Sequence, residues 1–374
     1  MRVRLCAFVG VATAALLALV TGSAAATSAP ASASCPATAF AENAAHNGHT
    51  CTTLSPVLWQ RWRKQLNGYP SAPIIAGGRV FVETIGSSGV WLYALSAANG
   101  NTLWGPVPLA STVAFPLAYD NGRVFAGDPQ GTVRAFAAAT GQQLWARPTE
   151  WAMGPPTAVG GRVYVKTGPV WALSEATGAL VWRSPKTDGG DSLVSADTTG
   201  VYLSTGCGSR FKLGLGTGAI IWRGDDDCTG GGDGVASLWG SRLFGSDGQR
   251  VLDKATGQLR GSFAGAPAFN GTSGFFAVHT YVYSEDVATG TPKWTVDLGE
   301  SHVGPPVATA NGLVIVLTAR GHLIGLNGAT GKRVFIRSVP GVARGIGVFN
   351  PRPGFAVGNG AVVAPSGNAL VLLR

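Results

Sequence analysis

The sequence predicts an all-β fold: a single eight-bladed β-propeller of four-stranded blades, closed by an N-terminal strand that joins the C-terminal blade. Three observations predict it. A turn-plus-aromatic motif, of which Ala139-Thr140-Gly141-Gln142-Gln143-Leu144-Trp145 is the clearest copy, recurs along the chain. Its anchoring glycines, at 100, 141, 178, 218, 257, 290 and 331, lie 41, 37, 40, 39, 33 and 41 residues apart, a period that marks a repeat architecture. Finally, the chain stops at Arg374 one strand short of a complete unit, while a lone strand-like fragment, Val57–Trp62, precedes the first complete one.

The second unit shows what one repeat contains. Phe115–Tyr119, Arg123–Ala126, Thr132–Ala137 and Gln142–Ala146 read as four short strands. Asp120-Asn121-Gly122, Asp128-Pro129-Gln130-Gly131 and Ala139-Thr140-Gly141 read as the turns between them. The first hairpin recurs as Gly77-Gly78, Gly160-Gly161, Asn311-Gly312 and Asn359-Gly360, each pair set between alternating strands as in a type I′ turn. The last unit supplies three strands, Gly354–Gly358, Ala361–Pro365 and Ala369–Leu373. Val57–Trp62 as its fourth strand would leave no sheet edge open. The aromatic closing each unit is then expected to reach the neighbouring blade, burying about 150–250 Å². Those docking aromatics are Trp59, Trp104, Trp145, Trp182, Trp222, Phe263, Trp294 and Phe335; the copy at Gly257 has Gly261 in the ring position and Phe263 two residues on.

Composition agrees with short strands. The 374 residues include 55 glycines and 22 prolines, and only 13% are charged, too few to cover long surface helices. Arg2 and Arg4 precede the apolar run Leu5–Val20 and the small residues Ala24-Ala25-Ala26, the pattern of a secretory signal peptide, residues 1–26, with cleavage after Ala26 or, second, after Ala33. No later apolar run is long enough to span a bilayer. Residues 27–54 form an Ala-, Ser- and Thr-rich extension, and residues 55–374 the propeller.

Export leaves four cysteines, an even number suited to an oxidising compartment. Three pairings are possible. Proximity in sequence favours Cys35–Cys51 and Cys207–Cys228. Zinc bound by Cys35, Cys51, His46 and His49 is the alternative for the first pair, but the spacing fits no standard zinc pattern. Lipid attachment at Cys35 is disfavoured by Ser32, where an aliphatic residue is expected.

The pattern closing the units, Asp/Ala-x-Thr-Gly-x-x-x-Trp with the turn motif kept in six copies and degraded in the copy at Gly257, resembles the pyrroloquinoline-quinone (PQQ)-type β-propeller repeat. The resemblance covers about residues 55–374. It is similar to the eight-bladed propellers of quinoprotein alcohol dehydrogenases and of the outer-membrane assembly lipoprotein, and unlike WD40, whose landmarks are absent. For the dehydrogenases the resemblance implies a quinone stacked on a disulfide between adjacent cysteines, and Ca²⁺ held by clustered carboxylates and an Asn. No two cysteines are adjacent here, and the acids form no such cluster on the inner strands.

Other candidate chemistry is thin. Asp225-Asp226-Asp227 lacks the spacing of a Ca²⁺ loop. Gly190-Asp191-Ser192-Leu193 matches an esterase nucleophile motif, but no histidine has an Asp three residues before it, leaving the serine without a base. The net charge of +9 becomes +7 without Arg2 and Arg4, a dispersed excess with no basic-aromatic cluster to suit nucleic acid. The sequence therefore predicts a secreted, monomeric, non-catalytic binding or scaffold protein, without cofactor, metal or catalytic residues. Its partner would be another protein or an anionic cell-envelope polymer. A quinone- or metal-dependent oxidoreductase is the alternative.

Overall fold

Local turn chemistry sets up each blade. Asn121 and Gly122 have φ of 45° and 75°, and Gly160 and Gly161 have φ of 64° and 79°, the paired left-handed conformation that bends one strand straight back along the next. In the computed structural model, which describes Met1 and residues 34–374 except 151–153, 188–191, 207, 226–233 and 342–353, these hairpins organise eight sheets. Residues Cys35–Arg374 form one compact unit. The signal-peptide segment 1–26 falls outside the described residues, apart from Met1.

Each blade is an antiparallel meander running outward from the central axis. The inner strands are Ile74–Ala76, Ala118–Asp120, Thr157–Val159, Ser195–Asp197, Gly234–Trp239, Ala266–Asn270, Val307–Thr309 and Ala356–Gly358, in blades 1 to 8. The outer strands, in the same order, are Thr102–Leu109, Gln143–Pro148, Leu180–Arg183, Ile220–Gly224, Leu259–Ser262, Pro292–Asp297, Arg333–Ser338 and Gln60–Gln65. Blade 8 is thus closed by the N-terminal strand, with Trp62 opposite Leu372, Arg63 opposite Val371 and Gln65 opposite Ala369. Buried aliphatic and aromatic side chains fill the spaces between neighbouring sheets; Phe81, Phe125, Tyr164 and Tyr202 recur at one position of successive second strands.

The closing strand is offset from its expected position. It runs over Gln60–Gln65 rather than Val57–Trp62, and the docking aromatic of blade 8 is Trp62, not Trp59. Trp62 is 7% exposed and its Nε1 donates to Ala97 O of blade 1 (3.1 Å), whereas Trp59 is 66% exposed. The reason is where the ring of blades closes. In most other blades a glycine four residues upstream fixes which residue carries the ring, but Ser55 and Leu58 stand at that spacing before Trp59 and Trp62. Trp59 and Trp62, three residues apart, both fit the pattern.

The remaining rings show what the repeated motif does. Trp104, Trp145, Trp182, Trp222 and Trp294 donate their indole N–H to the backbone of the following blade, at Ala138, Glu175, Leu215, Lys254 and Gly328, over 2.7–3.2 Å. Each ring lies against the turn glycine of that blade. A Cβ at Gly141, already at φ 74°, would sit 2.6 Å from the Trp104 ring. The glycine and the tryptophan of the motif therefore answer each other across blades, not within one. The two exceptions follow from local structure. Nothing lies within 4 Å of a Cβ at Gly290, because the blade before it has Gly261 in the ring position; Phe263 there packs against Phe244 and Phe276 instead. Phe335 faces blade 8, which has no turn between its third and outer strands, so no turn carbonyl calls for an indole N–H. It is buried against Leu58, Val371 and Leu373.

Candidate binding surface

Residues 35–54 encircle one end of the central channel and touch the inner region of every blade. Cys35 O accepts from Asn359 N of blade 8 (2.9 Å), Ala37 bonds in both directions with Ile75 of blade 1 (2.9 and 2.8 Å), and Thr38 O accepts from Tyr119 N of blade 2 (2.8 Å). His46 Nε2 lies 3.2 Å from Thr157 Oγ1 of blade 3 and 3.1 Å from Val194 O, at the entry to blade 4. Ala44 O and Ala45 O accept from Ala196 N of blade 4 and Leu238 N of blade 5, both at 2.9 Å. Asn47 Nδ2 adds a bond to Leu238 O (3.0 Å), and His49 Nδ1 reaches Phe269 O of blade 6 (3.0 Å). Gly48 O accepts from Ala308 N of blade 7 (2.7 Å), and His49–Thr50 runs parallel to that inner strand. Thr52 then returns the chain to blade 8, its Oγ1 accepting from Gly360 N (2.6 Å).

The Cys35–Cys51 disulfide, with Cα atoms 5.5 Å apart, closes this circuit into a covalent ring. Both sulfurs are consumed, which sets aside zinc and lipid attachment at Cys35. His46 and His49 instead satisfy backbone carbonyls of the blades. Polar side chains among alanines suit such a path, because the inner strands offer backbone donors and acceptors that need partners once buried. Ala41, Glu42 and His46 have φ of 54°, 79° and 48°, left-handed turns by which a short segment bends around so small a circle. The Glu42 carboxyl is buried inside it. Its Oε1 accepts from Val357 N (2.9 Å), while Oε2 has no hydrogen bond among the described residues. Burial pushes its pKa well above the ordinary carboxylate range.

The plug sits where the tight first hairpins and the Thr-Gly turns gather. Alternation of strand direction sends the connections between blades, and the turns after each second strand, to the opposite end. The strand ends that flank these connections, Leu109 and Ala118, Pro148 and Thr157, Arg183 and Ser192, Gly224 and Gly234, Asp297 and Val307, and Ser338 and Ala356, all lie there. So do several polar groups. Glu83, fully buried, accepts from Phe115 N (2.9 Å) and is pushed up by burial. Asp128 pairs with Arg134 (2.5 Å). Glu300 receives hydrogen bonds from Thr318 Oγ1 (2.5 Å) and lies 2.7 Å from His322 Nδ1. His302 gives its Nδ1 to Gly304 O (2.8 Å), and burial lowers its pKa.

These groups do not fit a quinone with its metal. They stand singly or as acid–base pairs, and among the described residues no three His, Cys, Asp or Glu side chains converge to hold an ion. The disulfide links residues 16 apart on the plug rather than adjacent residues. Ser192, of the esterase-like motif, is buried, with its hydroxyl unbonded among the described residues. Cys207, Cys228, Asp226 and Asp227 lie outside the described residues, so their pairing and the acidic run are not placed. What the sequence did not reveal was the plug, and with it the roles of Glu42, His46 and Asn47. Its signal was present: Asn43, His46, Asn47 and His49 form a polar cluster where a mere leader remnant has no need of one.

Known structures share this architecture. BamB from Moraxella catarrhalis superposes with a TM-score of 0.66 at 18% identity, covering 85% of this chain and 98% of that one. Quinohemoprotein alcohol dehydrogenase ADHIIG from Pseudomonas putida HK5 gives 0.68 at 14% identity, covering 91% and 80%. A computationally designed protein, Ika8, gives 0.67 at 16% identity, covering 83% and 99%. At these identities the likeness is one of fold, shared by BamB, an alcohol dehydrogenase and a designed protein alike. By sequence, no curated protein matches the chain. The family model described as outer membrane protein assembly factor BamB matches residues 91–224 and 212–373, and on that match the chain belongs to the BamB-like family of PQQ-repeat β-propellers.

Proposed function

We propose that the protein is an exported, non-catalytic scaffold that binds another polypeptide with the face opposite the plug. The observation that carries this reading is the asymmetry of the two faces. One is sealed by a covalently closed segment bonded to all eight blades and edged by tight turns. At the other, the strands end where one blade hands over to the next, and loops at such ends are the part of a scaffold where binding residues concentrate. Membership of the BamB-like family supports a protein partner, and the disulfide supports a compartment outside the cytoplasm. The chain would act as a monomer.

Photo-crosslinking side chains at Lys186 and Arg320, on the open face, should yield a discrete adduct with a polypeptide in the native host, while the same groups at Thr140 and Thr330, among the Thr-Gly turns, should not. Adducts only from the turn face would refute the assignment. The oxidoreductase alternative makes its own demand. Adding pyrroloquinoline quinone with Ca²⁺ should give neither stoichiometric binding nor dye-linked alcohol oxidation, and turnover on any alcohol would replace the scaffold reading with it.

A further inference from the structure

Charge is distributed very unevenly around the ring. Residues 43–82 and 301–374 contain no aspartate or glutamate, yet carry Arg61, Arg63, Lys64, Arg79, Arg320, Lys332, Arg333, Arg337, Arg344, Arg352 and Arg374. In sequence these are two distant stretches. Closure of blade 8 by Gln60–Gln65 makes them neighbours, and Arg337 Nε donates to Leu58 O (2.9 Å), tying the outer strand of blade 7 to the chain entering blade 8. Arg61, Arg63, Lys332 and Arg333 are exposed on this outer rim, and Lys64 and Arg337 are half-buried. Among the described residues none of these six pairs with a carboxylate. Large apolar side chains stand exposed between them: Trp59, Val57, Val334 and Ile336.

Elsewhere on the rim the combination is sparser: the outer strand of blade 2 sets exposed Leu144 beside a single half-buried arginine, Arg147. Blades 3 and 4 also expose aliphatic side chains, at Leu180, Val181, Ile220 and Ile221, but their basic residues are matched, Arg183 by Glu150 and Arg223 by Asp225. We infer that the outer rim of blades 7 and 8 docks on an anionic lipid surface. Unpaired Arg and Lys side chains meet acidic headgroups, Arg with a planar fork suited to phosphate. Trp59 with Val57 and Ile336 then enters the boundary between headgroups and acyl chains, where an amphipathic ring is favoured. A soluble polyanion would satisfy the charges but leave the apolar side chains in water, so the lipid surface accounts for more of the patch. The inference is independent of the partner on the open face.

The test uses residues 27–374, which contain the whole compact unit Cys35–Arg374, and vesicles of phosphatidylcholine with or without phosphatidylglycerol. Co-sedimentation should occur only with the anionic vesicles. Replacing three charges (Arg61→Gln, Arg63→Gln and Lys64→Gln together) should weaken it by about a hundredfold. Trp59→Ala should weaken it by about tenfold and abolish a quenching signal from lipids brominated in the acyl chain. Arg183→Gln, on the rim of blade 3, should change nothing. Failure to sediment with anionic vesicles, or sedimentation indifferent to the three-charge variant, would overturn the inference. So would polyphosphate binding as tight as vesicle binding together with an unchanged Trp59→Ala variant, since that result would assign the patch to a soluble polyanion.

Discussion

Trp62→Ala destabilises the protein by about 3–5 kcal/mol, the cost of truncating a large buried ring, whereas Trp59→Ala changes stability by no more than about 0.5 kcal/mol. The two residues are three apart, both tryptophans, and at the head of the same strand. They differ in that Trp62 closes the seam between blades 8 and 1, its ring against Gly100 and its N–H on Ala97 O. Trp59 contributes only through its backbone, which exchanges hydrogen bonds with Arg374 within blade 8 at 3.0 and 2.9 Å and is untouched by the substitution. Denaturant melts of the two variants check the contrast. Equal losses would mean that the seam does not close through Trp62.

Replacing Cys35 and Cys51 together by serine should cost about 3 kcal/mol, the loop-closure term for a ring of this length. The plug bonds would survive at low temperature, because they are made by backbone and by His46, Asn47 and His49 rather than by sulfur. On heating, the open segment should leave the channel before the blades melt, giving a first transition that the disulfide-intact protein lacks. Calorimetry of the two forms, and of the native protein with and without a reductant, separates the contributions. A single unchanged transition in the serine variant would show that the disulfide adds nothing to the plug.

The repeat, the blade count and the N-terminal closure of blade 8 were legible because each rests on local chemistry repeated many times. Asn-Gly pairs, Thr-Gly turns and a ring four residues after the glycine leave little choice of register. Where repetition lapses, legibility lapses with it. The pattern points to Trp59 where the structure has Trp62, because the strand that closes blade 8 lacks the upstream glycine that identifies the ring elsewhere. The plug went unread for a different reason: its partners are backbone groups scattered over blades 1 to 8, from Ile75 to Asn359, and a segment used once has no period to betray it. Its disulfide could be expected from compartment and proximity, but its purpose could not. The basic rim was hidden in the same way, since only closure of the ring brings residues 57–65 beside 333–338.

Amide hydrogen exchange over residues 36–54 tests most directly whether the channel is sealed at one end and binding is left to the other. The amides of Ala37, Thr38, His46 and Gly48 are bonded within the plug or to blade 1, and those of Tyr119, Ala196, Leu238 and Ala308 are bonded to the plug from four other blades. The account predicts that both sets exchange slowly and together, at rates near those of the strands behind them. Fast exchange of residues 36–54, like that of an unstructured tail, with the inner-strand amides equally open, would contradict it: the channel would be open at both ends, and neither face could be assigned the binding role by elimination of the other.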